Sequence, residues 1–135
     1  MLTSFYPVLM TDDVAATADF YRTYLQFETV FEADWYVSLR RDPRFELAVL
    51  DRNHETIPAQ VRAIAGGILL NLEVGDVDAE YRRLVIDGGI VPLLKIKSED
   101  FGQRHFIIAA PDGVAIDIIT PIEPSAEFAA SYLSE

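Results

Sequence analysis

Few side chains in this sequence are equipped for chemistry. Two histidines occur, His54 and His105, and there is no cysteine, which removes disulfides, thiol catalysis and cysteine-held zinc. His105 follows Arg104 in a run that alternates like a strand, so the two side chains are expected on opposite faces. An imidazole there serves a structural hydrogen bond, a ligand contact or acid–base chemistry. The Arg104 guanidinium offers a two-pronged fork to an anionic ligand, or a salt bridge to Asp112 or Asp117. Asp117 is in turn a ligand contact or the group that holds a neighbouring Arg, Tyr or amide in place. His54 falls in the least patterned part of the chain and reads as an exposed connector residue.

A second set of candidates is aromatic and apolar. Tyr6, Val8 and Met10 alternate on one face of the first strand-like run, and Leu69, Asn71 and Glu73 do the same in a later one. Trp35 and Tyr36 are adjacent and point opposite ways, so one of them is expected to face any cavity, stacking on a planar ligand or simply packing. A mostly apolar lining with a few polar anchors is how small-molecule sites are usually built. No phosphate-cradling glycine loop is present, and no serine lies in a nucleophile-elbow context.

The elements that must position these residues repeat. Tyr6-Pro-Val-Leu-Met-Thr-Asp-Asp13-Val and Leu69-Leu-Asn-Leu-Glu-Val-Gly-Asp76-Val stand 63 positions apart, and each ends an alternating run in an Asp-Val pair that opens a helical pattern. In the first copy a strand is predicted over about 5–11, then a helix capped by Asp12 or Asp13 and ending near Leu25. Val14, Thr17, Phe20, Tyr21 and Tyr24 form its sheet-facing stripe. Strands follow over 27–33, 35–40 and 45–50, the last two joined by a turn at Arg41-Asp42-Pro43-Arg44. The second copy repeats the order: strand 67–74, helix 76–87 stopped by Gly88-Gly89, then strands near 91–97, 104–109 and 114–120. Pro111-Asp112-Gly113 makes the last tight turn. The domain reading is one domain over 1–135, with module one at about 5–50, a connector at 51–65, module two at about 66–121 and a short C-terminal helix over 124–133.

Composition narrows the partners. A chain of 135 residues, half of them hydrophobic, can build a core. Its formal net charge of -11 disfavours phosphate backbones and anionic lipid, so neither nucleic acid nor a membrane is expected as a partner. The start of the chain lacks the pattern of a secretory signal and no apolar run approaches a membrane span, which makes a soluble cytoplasmic protein the expectation.

Together, Asp13-Val-Ala-Ala-Thr-Ala-Asp-Phe20-Tyr21, Asp76-Val-Asp-Ala-Glu-Tyr81, Gly102-Gln-Arg-His-Phe106 and Pro111-Asp-Gly113-Val-Ala-Ile-Asp117 resemble the vicinal oxygen chelate superfamily, the glyoxalase, bleomycin-resistance and extradiol-dioxygenase group. The resemblance runs from about Phe5 to Pro121. It implies an α+β fold of two tandem βαβββ modules forming a cupped mixed sheet, completed in a homodimer. It also implies metal ligands in the first and last strands of each module, usually His or Gln and Glu. Here those positions hold Tyr6 and Leu69 in the first strands, and Ala48 and Asp117 in the last. Asp117 alone is an ordinary ligand, so no metal and no other cofactor is expected.

The functional expectation is therefore a metal-independent protein that binds or sequesters a small organic molecule, resembling the bleomycin-resistance type. Its candidate contacts are Tyr6, Trp35, Tyr36, Leu69, Asn71, Arg104, His105 and Asp117. The acidic surface favours a cationic ligand. The enzyme alternative is a glyoxalase-like lyase or isomerase with an atypical metal set, or with His105 or Glu73 as general base. The third is a protein-interaction module with no small ligand.

Overall fold

The computed structural model describes residues 1–133. It forms two compact units, one comprising Met1–Gly67 with Ala110–Val114 and the other Ile68–Ala109 with Ala115–Glu135. The first unit runs β1 (Val8–Thr11), α1 (Val14–Leu25), β2 (Glu28–Glu32), β3 (Tyr36–Arg41) and β4 (Phe45–Asp51). The second runs β5 (Leu69–Glu73), α2 (Val77–Tyr81) continued by a π-helical stretch (Arg82–Asp87), then β6 (Leu94–Glu99), β7 (Gln103–Ala109) and β8 (Ala115–Pro121). A short α3 (Ala126–Ala129) follows. These are the two βαβββ modules of an α+β fold.

Each module builds its sheet in the same order. The strands lie β1-β4-β3-β2 in one and β5-β8-β7-β6 in the other, with the first strand parallel to the last and the remaining pairs antiparallel. Val8 stands beside Ala48 and Asn71 beside Asp117, so the 63-residue repeat carries equivalent registers. Asp13 Oδ1 accepts the Ala16 N–H at 3.0 Å, and Asp76 Oδ1 accepts the Ala79 N–H at 3.1 Å. These two N-caps hold one of the donors a helix start leaves without a partner.

The helix ends repeat too, with different residues. Gln26 takes a left-handed φ of 61° after α1, and Gly89 takes 75° at the corresponding point after α2. Phe27 N–H then donates to the Tyr21 carbonyl at 3.1 Å and Ile90 N–H to the Leu84 carbonyl at 3.0 Å. Of the two glycines expected to stop the second helix, Gly89 supplies the turn, while Gly88 stays right-handed at φ -81°. Gln26 gives no such sequence signal, and Arg41 supports it by donating to the Leu25 carbonyl and the Gln26 amide oxygen, each at 3.2 Å.

The first unit's core lies between α1 and its sheet. Val14, Thr17, Ala18, Phe20, Tyr21 and Leu25 are buried on the helix, against Leu9, Val37, Leu39, Leu47 and Val49 from the strands. Thr17 is tolerated there because its hydroxyl bonds Thr11 Oγ1 at 3.1 Å. In the second unit Leu84, Val77, Phe106, Ile108, Ile116 and Ile118 are buried, and Tyr81 meets Phe106 edge-on at 5.0 Å.

Several predicted boundaries shift. β1 begins at Val8, which leaves Phe5 and Tyr6 ahead of the strand, because Pro7 has no N–H and offers only its carbonyl, which accepts the Ala48 N–H at 3.0 Å. β3 begins at Tyr36, leaving Trp35 outside it. β6 begins at Leu94 after Pro92, and its pairing with β7 shifts register between Leu94 and Lys97. The C-terminal helix covers only Ala126–Ala129, much less than 124–133. Among the described residues, no helix is long and apolar enough to cross a membrane.

Candidate functional site

One polar network in the second unit is built on three neighbouring strands. Alternation along β7 turns Arg104, Phe106 and Ile108 towards α2, and Gln103, His105 and Ile107 the other way. Asp117 on β8 faces the same outer side, diagonal to His105, because Ile107 is its direct neighbour. His105 Nδ1 lies 2.8 Å from Asp117 Oδ1, and His105 Nε2 lies 3.3 Å from Glu99 Oε2 on β6. Lys97 Nζ closes the row at 2.9 Å from Glu99 Oε1.

His105 and Asp117 are each only 5% exposed. Both imidazole nitrogens meet carboxylate oxygens, so a proton on either nitrogen has an acceptor. The Lys97 ammonium holds the Glu99 carboxyl below the ordinary carboxylate range, and His105 adds to the same effect. Phe101 stands edge-on to His105 at 6.3 Å and Phe128 edge-on to Phe101 at 6.3 Å. The C-terminal segment is tied down beside them: Ile122 N–H donates to the Gly102 carbonyl, Ser125 N–H to the Asp100 carbonyl and Tyr132 Oη to the Phe101 carbonyl. With both nitrogens engaged under this cover, the imidazole has no free atom to offer a substrate.

Arg104 also has a partner, though neither of the two foreseen. Its Nη2 and Nε donate to Asp78 at 2.8 and 3.0 Å, and its Nη1 donates to Ser98 Oγ at 3.2 Å. The reason is its face: β7 turns Arg104 to the helix side, where Asp78 sits in the first turn of α2, while Asp117 is on the opposite side. The fork lowers the Asp78 pKa and raises that of Arg104. Leu69, Asn71 and Glu73 all lie exposed on β5.

In the first unit the two adjacent aromatic candidates do not take opposite strand faces as alternation predicts, because Trp35 lies ahead of β3 and its ring comes within 5.6 Å of the Tyr36 ring. Tyr36 shares the outer face with Ser38 and lies 6.2 Å from the Phe31 ring. Trp35 stacks on His54, with centroids 3.8 Å apart and planes 11° apart. His54 Nδ1 also lies 2.9 Å from Thr56 Oγ1, so a residue read as a plain connector position is an organised part of the loop. A cleft of about 140 Å³ opens between Tyr6, Val30, Ser38, Leu39, Glu46 and Leu47. Of these only Tyr6 was a sequence candidate. Val30 escaped notice because it is the extra residue where the β2–β3 register shifts, a feature with no composition signal.

The donor types decide how well a metal fits the positions the resemblance singles out. Tyr6 is a phenol, Leu69 and Ala48 donate nothing, and Asp117 Oδ1 is bonded to His105. Among the described residues no group of three or more His, Cys, Asp or Glu side chains is arranged to hold an ion. This set does not fit a divalent metal, for which at least three protein donors are usual.

Residues 4–118 match the sequence model of the family described as the Glyoxalase/Bleomycin resistance protein/Dioxygenase superfamily. No curated protein sequence matches the chain. Among solved structures, it is similar to a lactoylglutathione lyase from Agrobacterium tumefaciens, at 18% identity and a TM-score of 0.69, over 87% of this chain and 92% of that one. A glyoxalase/bleomycin resistance protein/dioxygenase from Nocardioides matches at 20% identity and a TM-score of 0.72, over 91% and 86% of the two chains. A possible glyoxalase from Bacillus cereus matches at 16% identity and a TM-score of 0.66, over 88% and 99%. At these identities the likeness is one of fold.

Proposed function

The chain belongs to the Glyoxalase/Bleomycin resistance protein/Dioxygenase superfamily, and from that premise we propose that it binds a small organic molecule without a metal and without bond chemistry. One observation carries the reading: of the four family ligand positions, Asp117 alone holds a carboxylate, and that carboxylate is bonded to His105 at 2.8 Å. A metal-dependent lyase or dioxygenase needs several free donors. General-base chemistry at His105 is disfavoured by the same geometry, since Glu99 and Asp117 engage both ring nitrogens. A homodimer covering the apolar outer residues of the sheets, such as Val8 and Leu69, belongs to the same proposal.

The test is elemental analysis of gently purified protein beside thermal-shift screening against divalent metals, aromatic amines and oxo-compounds. The expected outcome is no stoichiometric metal, with saturable stabilisation by an organic ligand recovered unchanged. A stoichiometric nickel, zinc, iron or manganese ion lost in Asp117→Ala, or turnover of the ligand, overturns it.

A further inference from the structure

We infer that the outer face of the first sheet is a site for small organic cations carrying an apolar body; this names the ligand class and rests on the ligand-binding reading above. The β3–β4 register puts Ser38 beside Ala48 and Arg40 beside Glu46, so Ser38 and Glu46 share one face. That is the face of the cleft. Val30, freed from pairing by the bulge, and Tyr6, placed ahead of β1, complete its walls. Phe31 pairs with Ser38 across β2–β3 and adds its ring to the same face, next to Tyr36 at 6.2 Å.

The chemistry of this lining is directional. It holds one carboxylate, one hydroxyl and one phenol beside the Val30 side chain, with two further rings on the face, while the side chains of Leu39 and Leu47 turn into the core. Aromatic faces attract cations through their negative quadrupole, and a carboxylate on the same surface adds direct attraction. Among the described residues Glu46 has no ion pair, although Arg40 stands opposite it. Across that row Glu28 is the next neighbour of Arg40, so two carboxylates flank one guanidinium and the row is net negative. The chain as a whole, at a formal charge of -11, adds long-range attraction for cations. A cleft of about 140 Å³ takes a cationic head and a short arm, being well below the roughly 300 Å³ at which drug-sized sites begin.

Isothermal titration with phenethylammonium and its neutral analogue 2-phenylethanol tests the inference at low and high salt. The amine should bind more tightly than the alcohol, with its advantage reduced by salt. Glu46→Gln should weaken the amine by roughly three- to tenfold and leave the alcohol unchanged. Arg40→Ala should strengthen the amine. Circular dichroism melting confirms that each variant is folded, since both residues are exposed. Equal binding of amine and alcohol, or amine binding insensitive to both variants, overturns the cation assignment while leaving metal-independent ligand binding standing. Failure of both probes also overturns it, and the wider screen then decides the parent reading separately.

Discussion

His105 and Asp117 sit on adjacent antiparallel strands, one step diagonal to each other, with Nδ1 and Oδ1 2.8 Å apart and both residues 5% exposed. The pair explains how a carboxylate and an imidazole are accommodated on a nearly buried patch of sheet. Removing one partner leaves the other desolvated and unsatisfied. Asp117→Ala should therefore lower unfolding free energy by about 2 kcal/mol, and Asp117→Asn by less, because the amide oxygen still accepts from Nδ1. Urea denaturation followed by circular dichroism measures both; an unchanged midpoint for Asp117→Ala would show that the bond contributes nothing.

Acid should weaken the fold through two identified carboxylates. Asp78, held by Arg104, and Glu99, held by Lys97 and His105, both have folded pKa values below their ordinary ones. The unfolded state then binds more protons as pH falls, so stability rises with pH across this window. Their contribution is complete above the ordinary carboxylate range near pH 4 and is lost as pH drops through the lowered folded values. Melting temperatures from pH 2 to 6 should fall less steeply in Asp78→Asn and Glu99→Gln than in the unaltered protein.

Gln26 and Gly89 fill the same left-handed position at the ends of their helices. Only glycine takes that conformation without steric cost. Gln26→Gly should stabilise the protein by roughly 0.5 kcal/mol, the lost bond to Arg41 being an exposed one, and Gly89→Ala should destabilise it by about 1 kcal/mol. Chemical denaturation of the pair would reject this account if the signs were reversed.

Tyr21 is fully buried and its hydroxyl has no hydrogen-bond partner among the described residues, as is true of the Asp112 Oδ2 atom. Burial pushes the Tyr21 phenol well above its ordinary pKa, and the Asp112 charge pushes it further. Tyr21→Phe keeps the ring packing against Phe20 and Phe27 while deleting a desolvated polar atom. Stability should rise by up to about 1 kcal/mol. A loss of similar size in thermal denaturation would show that the hydroxyl is satisfied in solution.

The sequence by itself determined the repeat and its consequences, because those signals are local. Alternation along β1 and β5, the capping aspartates Asp13 and Asp76, and the turn at Pro111-Asp112-Gly113 follow from the chemistry of neighbouring residues, and they were enough to fix two βαβββ modules. The poverty of metal donors at Tyr6, Leu69 and Ala48 was legible for the same reason: it concerns residue type at positions counted from a cap or matched between the last strands of the two copies. Tertiary structure alone decided the partners. Arg104 binds Asp78, 26 residues away, and His105 is shared between Glu99 and Asp117, because strand register and helix placement set which side chains meet. Composition carries no record of the Val30 bulge or of Trp35 stacking on His54. Such pairings depend on where a strand shifts by one residue or a chain folds back, and a one-residue shift exchanges the two faces of a sheet.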